Sequence, residues 1–299
     1  MNAVGAGACP LAASAGPLAP AFVLLTQLGD LWLYVLVLAL AYWLGERTPV
    51  VGDRLDREGA ATVIALGFGA VALTSGLKQL FAVPRPPGAT TAVAPAVLPA
   101  ALDPLYVWAA TASGYSLPSG HALGTTVVWG GLAWTLPGPG RRRRLALAGA
   151  VVALVSYSRV ALGVHRPIDV LVGIGVGAAY LAAVLSVADG PDRAFAAGAV
   201  VGLAALLAAG PSPTVVAAAG VAIGGWAVWR LVDDVVAPQP ATRASALVTA
   251  AVGLPVLGAG LVATQTLALG LPGRFLASVA LVAVLLGLPA VTDRLRKAS

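Results

Sequence analysis

Histidine occurs twice in this chain, cysteine once, and charged residues fill only 10% of its 299 positions. Each scarcity excludes something. A single cysteine, Cys9, rules out an internal disulfide framework and a thiolate metal cluster. Two histidines, His121 and His165, leave little for a histidine-based metal site, so no metal or other cofactor is expected. A soluble domain carries about 25% charged residues, and this chain has too few to cover a water-facing surface. The first nineteen residues, MNAVGAGACPLAASAGPLA, lack a positive n-region and an apolar h-region, so they do not read as a cleaved signal peptide.

Hydrophobic residues are abundant instead: they form 59% of the chain, and the mean hydropathy is +0.91. Apolar runs near the length of a bilayer span recur, so the expected fold class is all-α, a polytopic transmembrane helix bundle. Nine spans are read, at roughly 22–44, 60–82, 119–137, 145–163, 167–187, 194–210, 213–235, 244–266 and 272–292. Gly120/Gly124, Gly173/Gly177 and Gly220/Gly224 each have the small-xxx-small spacing that lets helices approach closely in lipid.

Nine spans alternate the loops between two sides, and the 18 basic residues divide unevenly between them. One side collects Arg47, Arg54, Arg57, the run Arg141 to Arg144, Arg193, Arg230, Arg243, Arg294, Arg296 and Lys297. The other has only Lys78, Arg85, Arg159, Arg166 and Arg274. The positive-inside rule puts the first group in the cytoplasm, with the N-terminus outside and the C-terminus inside. The four-arginine run then reads as a topology anchor, and no nucleic-acid partner is implied.

The minority group carries the chemistry. Three stretches converge on the outer face: KQLFAVPRPP off the second span, YSLPSGHAL opening the third, and YSRVALGVHRPID between the fourth and fifth. They bring Lys78, Arg85 and Arg159 together as cations, which is costly near a membrane unless an anion sits among them. Arginine's planar fork suits phosphate and lysine adds a point charge. Ser119 and Gly120, following Pro118, open a helix whose free N–H groups and dipole also favour an anion. The pocket reads as a phosphoryl site. His165 and Asp169 are four apart across a helix start near Pro167, so the carboxylate can fix the ring's tautomer and leave the other nitrogen free to attack. His121, without a carboxylate close in sequence, is then the acid that protonates the leaving oxygen.

These residues resemble a known signature. Lys78 followed by six residues and Arg85-Pro86, then Pro118-Ser119-Gly120-His121, then Ser158-Arg159, five residues, His165, three residues and Asp169, is similar to the three-part motif of the type 2 phosphatidic-acid phosphatases. The resemblance covers roughly residues 25 to 187. It implies a metal-independent lipid phosphatase with His165 as nucleophile, Asp169 as its partner, His121 as acid, and Lys78, Arg85, Arg159, Ser119 and Gly120 holding the phosphate. The expected substrate is a lipid phosphate or diphosphate in the bilayer, such as a polyprenyl diphosphate, phosphatidate or phosphatidylglycerol phosphate. The chain would lie in the plasma membrane with its site facing the extracytoplasmic side. A lipid phosphotransferase using the same phosphohistidine is the alternative, and a non-enzymatic anion-binding membrane protein or transporter the more distant one. A vanadate-dependent haloperoxidase is set aside because those relatives are soluble.

Three regions follow: an external tail at 1–21, a phosphatase-like catalytic region at 22–190, and a C-terminal transmembrane module at 191–299 without an assigned role. Oligomeric state stays open. Asp30, inside the first span, is expected to neutralise one of the site cations or to face headgroups. Arg166 is an auxiliary candidate for substrate contact. The segment 96–115, with Tyr106 and Trp108, is expected to lie along the interface as a lid or lipid guide. Trp226, Trp229 and Arg230 read as ordinary anchoring near an inner span end, and Asp233 and Asp234 as a solvated edge.

Overall fold

In the computed structural model, residues 18–45, 56–96, 98–231 and 243–298 are described. Cys9, Arg47, Arg54, Asp233 and Asp234 lie outside them, as do the side chains of Arg243, Arg296 and Lys297. The described chain is helical: α1 (Ala19–Thr26), α2 (Leu31–Leu44), α3 (Arg57–Phe81), α4 (Asp103–Ala110), α5 (Gly120–Thr135) and α6 (Arg141–Ala161) come first. They are followed by α7 (Pro167–Val187), α8 (Pro191–Ala209), α9 (Pro213–Leu231), α10 (Arg243–Thr266) and α11 (Leu271–Ala298). Seven of these helices are long and apolar enough to cross a membrane, and α1 with α2 makes an eighth candidate as a bent pair. The chain is a multi-pass membrane protein.

Within the described residues all nine segments expected to span contain a helix, with two differences; the end of the 213–235 segment, past Leu231, lies outside them. The first is not one rod: α1 and its terminal 3-10 turn meet α2 at 47°. The break falls at Asp30, whose extended backbone (ψ 145°) cannot continue a helix. The third, α5, has only 16 residues, about 24 Å of helix against a hydrocarbon core of about 30 Å. Its start is set by Ser119, a buried residue whose hydroxyl accepts from the Ala122 amide.

Local chemistry fixes the other ends. Asp56 caps α3 through the Gly59 amide at 2.7 Å, and the helix stops where Ala82 turns left-handed (φ 48°). The arginine run opens α6, where its charge opposes the helix dipole. Arg144 is used differently: it folds back and donates to the carbonyls of Ala133, Leu136 and Pro139 at 3.2, 2.7 and 2.9 Å, closing the end of α5. Arg141 lies over the Trp134 ring, 4.6 Å from its centroid. One arginine of the run is therefore a structural cap as well as a basic residue.

The core is centred on α3, which packs on α5, α8 and α9. Small residues permit these contacts. A Cβ on Gly173 or Gly177 would come within 2.7 or 2.9 Å of the Ser119 or Leu123 carbonyl, so α7 rides against the backbone of α5. Gly220 and Gly224 do the same for α9 against Phe275 and Val279 of α11. The C-terminal helices share the core of the first half. Trp43 of α2 donates its indole N–H to the Leu285 carbonyl at 2.8 Å, and Tyr42 reaches the Leu286 carbonyl at 3.3 Å. Trp229, expected to be an interfacial anchor, is buried and stacks on Phe195 with centroids 5.0 Å apart. Trp226 is exposed, and Arg230 pairs with Asp192 at 3.1 Å. In the 96–115 segment, α4 packs on α1, with Tyr106 buried there and Trp108 turned outward.

Candidate functional site

The site is assembled by a turn that folds back on itself. At the end of α6 the amides of Val164 and His165 both donate to the Arg159 carbonyl, at 3.2 and 3.3 Å, so the five residues between Arg159 and His165 form a closed loop. Gly163 (φ 71°) makes that reversal without strain. Pro167 then begins α7, and its third residue, Asp169, points back along the chain.

Asp169 Oδ2 is the hub. It accepts from the Arg166 amide at 2.8 Å and from the Ser116 hydroxyl, and lies 3.4 Å from His165 Nδ1. Ser116 also sits 3.2 Å from His165 Nδ1. The Asp169 carbonyl accepts from the Ser119 amide at 2.8 Å, which fastens the start of α5 to the start of α7. His165, Asp169, Ser116 and Ser119 are all buried. Ser116 is a residue that sequence reasoning missed. Its only signal is its place two residues before Pro118.

On the opposite side of the imidazole, Arg85 Nη1 donates to His165 Nε2 at 3.1 Å and to the Val164 carbonyl at 2.8 Å, while Nε donates to the Ser113 carbonyl at 2.9 Å. An arginine only donates, so Nε2 carries the lone pair and Nδ1 carries the hydrogen, facing Asp169 and Ser116. This is the tautomer an attacking Nε2 requires. Burial pushes the His165 pKa down to about 3; the Asp169 hydrogen bond opposes this, and the Arg85, Arg159 and Lys78 charges reinforce it. Burial also lowers Arg85, against the pull of Asp169.

The other two cations are held with equal economy. Lys78 Nζ donates to the Tyr115 carbonyl at 2.7 Å, so one short loop, 113–116, supplies acceptors to both Lys78 and Arg85 and the hydroxyl to Asp169. Arg159, only 3% exposed, donates from Nη1 to Thr26 of α1 at 3.0 Å, and its buried Nε has no partner among the described residues. A buried guanidinium with an unmet donor is poised for an anion. Gly120 keeps the approach open: a Cβ there would lie 3.2 Å from the Thr74 methyl and 3.9 Å from Lys78 Cε.

His121, the second residue of α5, has its Nε2 3.3 Å from Asp30 Oδ1, an approach without hydrogen-bond alignment. Asp30 comes from 91 positions earlier, at the bend between α1 and α2. Gly29 lets the bend close on the site, since a Cβ there would meet Val155 at 2.6 Å and the His121 ring at 3.1 Å. Lys78 and Arg159 lie within electrostatic reach of both histidines. Arg166 serves the site through its backbone amide; its guanidinium is engaged with the Pro84 carbonyl at 2.9 Å. Among the described residues no three His, Cys, Asp or Glu side chains converge as metal ligands.

The arrangement is a helical membrane bundle with a histidine–carboxylate pair ringed by cations, and parts of the chain are similar to known proteins. The family model of the PAP2 superfamily matches residues 59–191 of this chain. The decaprenylphosphoryl-5-phosphoribose phosphatase of Mycobacterium tuberculosis, found in two strains, is 42% identical over 84 residues, which is 28% of this chain and 44% of that protein. The undecaprenyl-diphosphatase of Sulfolobus acidocaldarius is 43% identical over 72 residues, 24% of this chain and 33% of that protein. The chain thus spans less than half the length of these curated relatives. No solved structure matches it.

Proposed function

We propose that this protein hydrolyses a lipid phosphate or diphosphate through a phosphohistidine intermediate, at the outer face of the plasma membrane. The observation that carries the proposal is the orientation of His165: Nε2 lies 3.1 Å from Arg85, a donor only, and Nδ1 faces Asp169, which together assign the lone pair to Nε2. Arg85, Lys78 and Arg159, with the free amides at the start of α5, hold the phosphoryl oxygens. Nε2 attacks phosphorus, the bond from phosphorus to the lipid-bearing oxygen breaks, and His121 gives that oxygen its proton. Water then attacks the phosphohistidine, His121 takes the water's proton, and inorganic phosphate leaves with Nε2 restored. Three cations supply the charge stabilisation that a metal gives elsewhere.

Asp30, 3.3 Å from the His121 ring, stabilises the protonated His121 needed before the first step and regenerated after the second, and Asp169 stabilises the positive charge on the phosphorylated His165 ring. The relatives' names favour a polyprenyl carrier over a diacylglycerol lipid as substrate. The outward orientation rests on the uneven distribution of Lys and Arg among the loops.

The decisive experiment is phosphate release by purified protein from a panel of polyprenyl and diacylglycerol phosphates and diphosphates, with excess chelator. Release is expected with chelator present. Activity that chelator abolishes and a divalent ion restores would overturn the metal-independent mechanism.

A further inference from the structure

A cavity of about 320 Å³ opens beside His121 and runs into the bundle. Its polar lining comes from Asp30, Tyr34, Thr74, Ser75 and His121. Beyond these it is apolar, reaching Leu38, Ile64 and Val128. Thr74 and Ile64 are ten residues apart on α3, so the cavity follows that helix for about 15 Å from the site toward the middle of the membrane. The far wall does not belong to the PAP2-matched region: Val221 of α9, Leu257 and Leu261 of α10, and Leu281, Val282 and Leu285 of α11 complete it. A chamber of this size and lining is in the range that takes a small ligand or part of a larger one.

We propose that this chamber receives the first part of the substrate's hydrocarbon chain, and that α9, α10 and α11 serve as its wall. The inference rests on the phosphatase reading and extends it. His165 attacks from one side of phosphorus, and the leaving oxygen departs on the opposite side, where His121 protonates it. That oxygen carries the lipid, so the chain must extend from the His121 side. His121 lines the chamber and His165 does not. The polarity of the cavity therefore matches an amphiphile lying with its phosphate at the cation ring and its chain along α3. The wall is held in register with the site by the Trp43 indole on the Leu285 carbonyl, which ties α11 to the helix that starts at Asp30.

The test uses full-length protein in lipid nanodiscs and a decyl phosphonate with a terminal diazirine. Photolysis is expected to label α10 and α11 at Leu257, Leu261, Leu281, Val282 or Leu285, and inorganic phosphate should reduce the labelling. The same diazirine chain on an alcohol headgroup should label these positions weakly. In parallel, Leu257→Trp and Leu285→Trp, which fill the chamber, should lower the ratio of kcat/KM for decyl phosphate to that for ethyl phosphate about tenfold, since even one methylene is worth that much in a fitted pocket. Labelling confined to lipid-facing positions such as Ile168 and Leu171, or equal labelling by the alcohol probe, would overturn the chamber. If the phosphonate labels the chamber but no lipid phosphate is hydrolysed, the chamber stands and the phosphatase reading falls. Hydrolysis with labelling elsewhere has the opposite meaning.

Discussion

Arg85 Nη1 donates to His165 Nε2 across 3.1 Å, so one of the site's cations engages the nitrogen that attacks in the proposed mechanism. The contact sets the tautomer and also disfavours protonation, because a charged imidazole would face a guanidinium. In the proposed mechanism an arriving phosphoryl group would take over the guanidinium and free the lone pair, so substrate binding and nucleophile release would be one event.

A pH dependence follows. His165 must be neutral to attack, and its pKa is lowered from 6.5 to about 3. The acid limb of kcat/KM, corrected for substrate ionisation, should lie well below the ordinary histidine value. Arg85→Gln removes one positive charge, so it should raise that limb toward 6.5 while also weakening phosphate binding. The same shift bears on stability. As pH falls below 6.5 the unfolded chain takes up a proton that the folded chain refuses, so this contribution is complete above 6.5 and drains away toward pH 3. A limb at or above 6.5 in the wild type, or one unmoved in Arg85→Gln, would contradict this account.

Ser116 gives a second prediction. Its hydroxyl is a buried donor to Asp169, and a hydrogen bond to a charged group is worth about 1.5–3 kcal/mol. Ser116→Ala should lower kcat by about tenfold and leave KM nearly unchanged, because it loosens the partner of the nucleophile without touching phosphate. Ser116→Thr should recover part of the loss. A change in KM alone would show that Ser116 acts on substrate binding instead.

What the sequence revealed and what it hid have a common cause. Groups brought together by local chain geometry were legible: His165 and Asp169 meet across one helix start, and Ser119 caps α5 through the Ala122 amide three residues on. Contacts made by topology were not. Ser116 shares no periodicity with Asp169, 53 positions away. Asp30 was visible as an intramembrane acid, but its partner was set by the bend at Gly29–Asp30, which a uniformly apolar segment conceals. The same uniformity hid the depth of Trp229, since hydropathy does not tell a lipid-facing aromatic from one stacked on Phe195. The short α5 was read as a full span because apolar residues continue past its last helical turn.

The outward orientation can be checked directly. In a Cys9→Ser background, a membrane-impermeant thiol reagent applied to intact cells should label Thr90→Cys, on the exposed loop after Arg85, and not Pro139→Cys, on the exposed turn before the arginine run. Permeabilised cells should show both. The reverse pattern would overturn the topology and the leaflet assignment together.

The two histidines should fail in different ways. His165→Ala should abolish turnover by about ten-thousandfold or more and leave no acid-quenched phosphoenzyme, because its Nε2 is the group placed to attack. His121→Ala should cost about a hundred- to ten-thousandfold on natural lipids, whose alkoxide leaving groups need a proton. On an aryl phosphate it should recover much of the first step and accumulate phosphohistidine, since the leaving group departs unaided while water still lacks its base. Asp169→Asn should be milder than His165→Ala, as an orienting acid is the less costly member to lose. Asp30→Asn provides the discriminating case. If the 3.3 Å approach to His121 positions the acid, this variant should follow His121→Ala in miniature, with a smaller loss on lipid and rescue on the aryl substrate. If Asp30 served only to balance the charge of Arg159, its loss would alter KM for both substrates alike and show no rescue. A phosphoenzyme trapped in His165→Ala but absent in His121→Ala would exchange the two roles.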